Sequence, residues 1–459
     1  MRFVVARPSR AFQCAEAWSA PQMVQPEVMT LSRPGPATMS RRAYAIAIRN
    51  AGSGFGKGYL LVDLEFAATT DELVAKTRTF IRSVVLPIED EHCGVAPDGH
   101  QWRLDLQAAA REAEVFGPHS PTEYGGFGLG MAERAPVFEE AGYSLFGPIA
   151  LNCAAPDEGN QHLLGHVATE AQRQAYLAPL VRGDVRSAFA MTEPAPGAGS
   201  DPSVLRTRAS RVAGGWRIDG KKRFITGADG AAFMIVMART SGTPGDRCGA
   251  TLFLIEAGTP GMTVDRHIPT IDKSMAGGHC EVRFDGCAVP HEQILGEVDE
   301  GFRYAQVRLG PARMTHCMRW LGAARRAHEL AIGQTIDRRA FSQPLSDLGM
   351  VQQMIADSEI DIAASRALIL RACWELDQGR DSGDSTSIAK TFVSEAVGRI
   401  VDRAVQIHGG LGVSEDLPVA RIYREVRPFR IYDGPSEVHR WVLAKRAIRR
   451  VRDDRIPSR

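Results

Sequence analysis

The hydrophobic period of the chain changes twice, and that change limits the folds open to it. From about Asp71 to Arg182 the spacing is helical. Leu73, Thr77, Phe80, Ile81 and Val84 fall on one face, and Pro87 is expected to interrupt that helix. From about Ser187 to Leu295 the period becomes two. β-Rich runs at Trp216–Ile218, Phe233–Met237, Thr251–Ile255 and Glu281–Asp285 are separated by Gly, Pro and Asp clusters. From Gly301 helices return, most clearly in the stripe Phe392, Val393, Ala396, Val397, Ile400, Val401, Ala404 and Val405, which stops at Gly409-Gly410. A chain of 459 residues is long for one hydrophobic core. The pattern predicts an α+β multidomain protein: an N-terminal helical domain over 62–186, a central antiparallel β barrel or sandwich over 187–298, a C-terminal four-helix bundle over 299–450 and a tail over 451–459.

Residues 1–61 stand apart, with eight basic residues, two acids and several prolines. We expect a disordered extension or a reading frame opened too far upstream, since Val62 is a residue that a GTG start would encode. An Arg-rich, acid-poor organelle transit peptide is the alternative, which would place the protein in an organelle matrix. The basic residues are 7 Lys against 48 Arg, a skew typical of a GC-rich, prokaryotic coding sequence. A net charge of +1 argues against a nucleic-acid partner. The eight scattered cysteines contain no C-x-x-C pair, so reduced thiols in a cytoplasmic protein are expected, with no metal. The longest apolar run, about Ala231 to Ala238, is far short of the ~20 residues that span a bilayer, so no membrane segment is expected.

Four blocks carry groups that could do chemistry. Ala190-Met191-Thr192-Glu193-Pro194, followed by Gly197-Ala198-Gly199-Ser200-Asp201, offers a hydroxyl and a glycine backbone that a flat ligand could approach closely. In Gly220 to Ala228, strand alternation would put Phe224 and Thr226 on one face. Arg313 and Arg338 lie twenty-five residues apart, and Phe341 follows; a planar, always-charged guanidinium suits a pyrophosphate. Finally Gln406-Ile-His-Gly409-Gly410 leads through Arg421 and Arg424-Glu425 to Tyr432-Asp433-Gly434-Pro435-Ser436-Glu437. A lone Asp-Gly reads as a turn. Two glycine-rich runs, Gly52–Gly58 and Tyr124–Gly130, have neither phosphate-loop nor dinucleotide spacing.

In this order the blocks resemble the acyl-CoA dehydrogenase family over roughly residues 65–450. The resemblance implies FAD as cofactor, with Met191, Thr192, Ser200, Phe224, Thr226, Arg338, Phe341, Gln406, Gly409, Gly410, Pro435 and Glu437 around it, and Arg338 and Phe341 reaching the FAD of a neighbouring subunit. It implies Asp433 as the base that removes the substrate α-proton while the β-hydride passes to the flavin, giving a trans-2-enoyl-CoA. Ser200, Arg313, Tyr432 and Gly434 would touch the acyl-CoA substrate. An electron-transfer flavoprotein as acceptor, a homodimer or homotetramer, and a place in fatty acid β-oxidation are further implications.

Departures from the family pattern are Asp433 where many members have Glu, Pro435 where Thr is usual, and Gly349 in place of a cofactor-holding Gln. The Asp-Gly-Pro-x-Glu-Val-His form, with His316-Cys-Met-Arg319 upstream, looks most like a branch acting on long or branched acyl-CoAs. Two alternatives stay open: a nitroalkane oxidase-like or oxygen-using flavoenzyme of the same fold, and a non-catalytic flavin-binding protein.

Overall fold

The computed structural model describes residues 66–454, and the expectations for 1–61 and for the last residues of the tail lie outside this range. Helices come first: α1 (Ala68–Phe80), α2 (Leu86–Glu91), α3 (Gln101–Glu112), α4 (Met131–Ala141), α5 (Gly147–Ala150), α6 (Asp157–Val167), α7 (Glu170–Gln172) and α8 (Ala178–Val181). The regular helix is interrupted just ahead of Pro87. The chain widens into a π-type turn over Ile81–Val85, in which the Leu86 N–H bonds the Ile81 carbonyl, and Pro87 then occupies the first turn of α2. A proline there has no helical N–H bond to forfeit.

Eight strands follow: β1 (Ser187–Ala190), β2 (Arg208–Val212), β3 (Gly215–Thr226), β4 (Phe233–Arg239), β5 (Ala250–Glu256), β6 (Met262–His267), β7 (His279–Pro290) and β8 (Ile294–Leu295). They form one sheet in the order β6-β7-β3-β2-β4-β5-β8, with β1 added to β4. The ladders are antiparallel except where β4 meets β1 and, at one residue pair, β2. β4 shows why the period of two was visible. Phe233, Ile235 and Met237 enter one core with Leu163, Leu177, Leu252 and Tyr304, while Met234, Val236 and Ala238 enter another with Trp216, Phe253, Val282 and Phe284. Strands β3, β4, β5 and β7 all contribute to that second core, so the sheet curls around it.

The chain ends in α9 (Gly301–Asp337), a small hairpin of β9 (Arg339–Ala340) and β10 (Gln343–Pro344), then α10 (Gly349–Asp377), α11 (Gly383–His408), α12 (Pro418–Val426) and α13 (Ser436–Asp454). The stripe on α11 faces inward: Val393, Ala396, Val397, Ile400, Val401 and Ala404 are buried. Gly409 then takes φ 60° and ψ −131°, a backbone open to glycine, and the helix stops. The N-terminal and C-terminal helices share one core, since Phe80, Phe138 and Phe146 belong to the same apolar cluster as Met314, Leu321, Val397 and Phe429. Among the described residues no helix is long and apolar enough to cross a membrane.

One buried carboxyl ties the bundle to the β region. Glu425 of α12 accepts bonds from the main-chain N–H groups of Lys273 and Ser274 and from the Ser274 hydroxyl at 2.6 Å. Burial outweighs these donors and pushes the carboxyl up to about 7. Because this value lies above the ordinary 4.5, the stabilisation Glu425 gives is complete below about pH 4.5 and lost as pH rises through 7, a change of order 3 kcal/mol. Glu425→Gln cannot ionise, so apart from a constant offset its thermal stability should gain on the wild type between pH 5 and 7.5. A difference that stays flat over this window would show that Glu425 does not titrate there.

Candidate active site

The loop after β1 is built around a buried ion pair. Glu193 lies under the loop and accepts from the N–H groups of Ala198, Arg206 and Thr207 at 3.1, 2.8 and 2.8 Å. Lys222 of β3, wholly buried, donates to the Glu193 carboxylate and to the Met191 carbonyl, both at 3.0 Å. Burial alone would raise the Glu193 carboxyl, but Lys222 and the N–H donors hold it below its usual range. Burial pushes the Lys222 ammonium down to about 8, against the pull of Glu193. Gly197 is required here by its own loop, since a Cβ would stand 2.3 Å from Glu193 Oε2. The Thr192 hydroxyl donates to the Arg223 carbonyl at 2.7 Å, and the Arg223 N–H returns a bond to the Thr192 carbonyl at 2.9 Å. Met191 and Thr192 are thus fixed beside β3, half-buried, whereas Ser200 is exposed.

Strand β3 is irregular just before Thr226, while Phe224 and Thr226 both lie open on either side of buried Ile225. The β3–β7 register shifts between Lys222 and Ile225, and Phe224 takes φ 57°. This bulge re-aims Phe224, which is 52% exposed. Thr226 follows in the strand, its hydroxyl 2.9 Å from His279 Nδ1, while His279 Nε2 lies 2.8 Å from Asp272. A carboxylate only accepts, so the ring proton sits on Nε2 and Nδ1 accepts from Thr226.

Arg338 is exposed just past α9. Phe341 and Ser342 form the two-residue turn of the β9–β10 hairpin, both at positive φ (51° and 67°), and Phe341 is 87% exposed. Gln406, Gly409 and Gly410 are also exposed, and a Cβ on either glycine would meet nothing within 4 Å. Among the described residues no hydrogen bond joins this group to the Thr192 loop.

Asp433 is held by its backbone. Its φ is 53°, in the left-handed region that Asp enters far less readily than Gly. Arg313 Nε donates to its carbonyl at 2.9 Å and His439 Nε2 does so at 3.2 Å. Lys390, buried in α11, donates to the next carbonyl, that of Gly434, at 2.6 Å. Burial pushes Lys390 down to about 8. The Asp433 carboxyl is largely buried, with Oδ2 lacking a hydrogen-bond partner and His316 Nε2 standing 3.5 Å away. Tyr432 packs on His316 and Phe429 and accepts a bond from the Trp320 indole. Pro435 and the exposed Glu437 begin α13. A cavity of about 60 Å³ lies on the other side of His316, walled by Arg319 and Trp320 of α9, Arg186, Ser274 and the segment around Pro156.

Arg313, Tyr432, Asp433 and Gly434 are therefore brought together, and so are Met191, Thr192 and the Phe224 strand. The sequence reading missed Lys390, His439 and the Glu193–Lys222 pair as supports. One signal was available: with only 7 Lys in the chain, a lysine three residues before Val393, on the face of α11 that carries the apolar stripe, is unexpected.

Comparisons with known proteins agree with this architecture. Family models for the acyl-CoA dehydrogenase N-terminal, middle and C-terminal domains match residues 68–184, 188–287 and 299–448. The chain is 41% identical over 369 residues to the Mycobacterium tuberculosis protein named probable acyl-CoA dehydrogenase FadE2, covering 79% of this chain and 86% of that one. Acyl-CoA dehydrogenase family member 11 of Mus musculus is 33% identical over 390 residues, and 82% of this chain spans 50% of that relative's length. Butyryl-CoA dehydrogenase of Megasphaera elsdenii superposes with a TM-score of 0.75 at 29% identity, over 84% of this chain and 100% of that one. The chain belongs to the acyl-CoA dehydrogenase family, whose members are FAD-dependent oxidoreductases.

Lys222→Met leaves Glu193 ionised and unpaired in the interior, and should cost about 3–5 kcal/mol in denaturant unfolding. The double variant with Glu193→Gln should recover part of that loss. A cost within about 0.5 kcal/mol, as for an ordinary surface substitution, would show that the pair does not hold the loop.

Proposed function

We propose that this chain dehydrogenates an acyl-CoA thioester between its α and β carbons, with Asp433 as the base that takes the α-proton. The observation that carries the reading is the Asp433 carboxyl itself: mostly buried, one oxygen unpartnered, on a backbone pinned by Arg313, His439 and Lys390. A carboxylate held in this way is ready to accept a proton without first breaking a strong bond of its own.

The exposed groups suit FAD. Arg338 offers a guanidinium for the pyrophosphate, Phe341 an aromatic face, and Gly409 and Gly410 an open backbone, while Thr192, Phe224 and Thr226 would lie at the ring. When bound, FAD supplies the hydride acceptor. Met191, Ser200, Gln406, Pro435 and Glu437 would complete its surroundings, as they do by position in the family. Because Arg338 and Phe341 face outward in this chain, we assign them to the FAD of a second copy, in a homodimer or homotetramer. The main-chain N–H of Asp433 would donate to the thioester oxygen and stabilise enolate character as the proton leaves. Arg313 would keep that N–H aimed by holding the Asp433 carbonyl, with Tyr432, Gly434 and Ser200 beside the substrate. Electrons would pass on to an electron-transfer flavoprotein.

Asp433→Asn should retain bound FAD and lower the rate of flavin bleaching by acyl-CoA about 10²–10⁴-fold under anaerobic mixing. Unchanged bleaching would remove Asp433 as the base. Bleaching of the wild type by nitroalkanes but by no acyl-CoA in a panel of lengths and branchings would replace the dehydrogenase reading.

A further inference from the structure

Three donors fix the main chain at Asp433 and Gly434, yet none of them touches the carboxyl group. A one-methylene side chain still turns about χ1 and χ2, so something must choose which way its oxygens point. The group nearest the buried oxygen is His316 of α9, with Nε2 at 3.5 Å from Asp433 Oδ2. His316 is itself buried, stacked 4.8 Å from the Tyr432 ring and 5.9 Å from that of Phe429.

The proton on this imidazole can be placed by elimination. Arg319 NH2 stands 3.2 Å from His316 Nδ1, and a guanidinium can only donate. Tyr432 Oη, 3.4 Å from the same nitrogen, already accepts the Trp320 indole N–H, which leaves its own hydrogen to point at Nδ1. Nδ1 is therefore an acceptor. The ring hydrogen sits on Nε2, on the side of Asp433. The charged groups facing His316 are Arg308 and Arg319 from α9, Lys390 from α11 and Asp433 from the turn before α13. Burial, then Arg319, Arg308 and Lys390, hold the imidazole neutral by pushing it well below its ordinary value. It offers one hydrogen, in one direction.

We propose that His316 is a positioning residue for the base: its Nε2–H, fixed by Arg319 and by the Trp320–Tyr432 pair on the opposite nitrogen, faces the unpartnered Asp433 Oδ2 at 3.5 Å and closes on it when substrate binds, so that the second oxygen faces the substrate α-carbon. This rests on the reading of Asp433 as base and adds the device that aims it. His316 takes up no proton in the cycle and touches no reacting atom.

The test uses the FAD-loaded full chain with His316→Leu, His316→Gln and, in parallel, Asp433→Asn. Two readouts are followed: anaerobic flavin bleaching by acyl-CoA, and exchange of the acyl-CoA α-proton into deuterium oxide by proton NMR, which needs no hydride transfer. His316→Leu should keep its flavin and its acyl-CoA affinity. It should slow both readouts up to about 100-fold, as misaimed reacting groups do. His316→Gln, whose amide N–H can reach the same oxygen, should restore both rates to within a few-fold. Wild-type rates in His316→Leu, or no rescue by Gln, would overturn the proposal while a dead Asp433→Asn left the base reading standing. An active Asp433→Asn would overturn both. Loss of flavin from both His316 variants would assign the residue a structural role instead and overturn the proposal.

Discussion

The left-handed backbone at Asp433 is the constraint on which the rest of the site depends. A non-glycine residue at φ 53° keeps that conformation only if its surroundings impose it. Here the imposing groups come from three helices: Arg313 from α9, Lys390 from α11 and His439 from α13. Each donates to a carbonyl that the turn would otherwise leave aimed at the interior. Two of them, Arg313 and Lys390, are cations that burial opposes, and the carbonyls and the Asp433 carboxylate are what answer their charge. The bundle thus serves less to enclose a ligand than to hold one turn in place.

That bundle is not independent of the parts before it. The N-terminal helices share its core, and buried Glu89 joins α2 to Arg326 of α9 at 2.6 Å while also accepting from the Leu145 N–H. Glu425 joins α12 to the Lys273–Ser274 segment of the β region, and Ser274 lines the cavity next to His316. Polar contacts of this kind are weak evidence for stability, since the cost of burying the charge offsets much of the attraction. They are better read as setting one register between parts that apolar packing alone would leave free to slide.

Much of this was legible in the sequence, for reasons that can be stated. The α11 stripe and the two changes of period survive because burial on one face imposes its own repeat, whatever else the helix or strand touches. Features set by pairs distant in sequence did not survive. Glu193 and Lys222 are twenty-nine residues apart and look like ordinary charges until the fold buries both. The bulge at 222–225 depends on the register of β7, so alternation within β3 alone did not reveal it or the positive φ of Phe224. Pro87 marked the interruption but not its form. A local rule against proline in helices gave way to a π-type turn that makes its missing N–H harmless.

With Asp433 in its proposed role as base, the choice of Asp over Glu at this position gives these supports a common purpose. An Asp carboxyl ends one C–C bond, about 1.5 Å, nearer its own backbone than a Glu carboxyl does. A longer base can correct a small backbone displacement by changing rotamer. A short one inherits the error in full, and a misplacement of 1 Å can cost about 100-fold in rate. The burden of placement therefore passes from the side chain to the main chain and to whatever sets χ1. Three donors on two successive carbonyls are what the first demand calls for, and a neutral imidazole with a single fixed hydrogen is what the second calls for. His316 and Arg319 lie three residues apart on α9, so the group that would aim Asp433 and the group that sets its tautomer move with one helix, to which Arg313 also ties the Asp433 carbonyl.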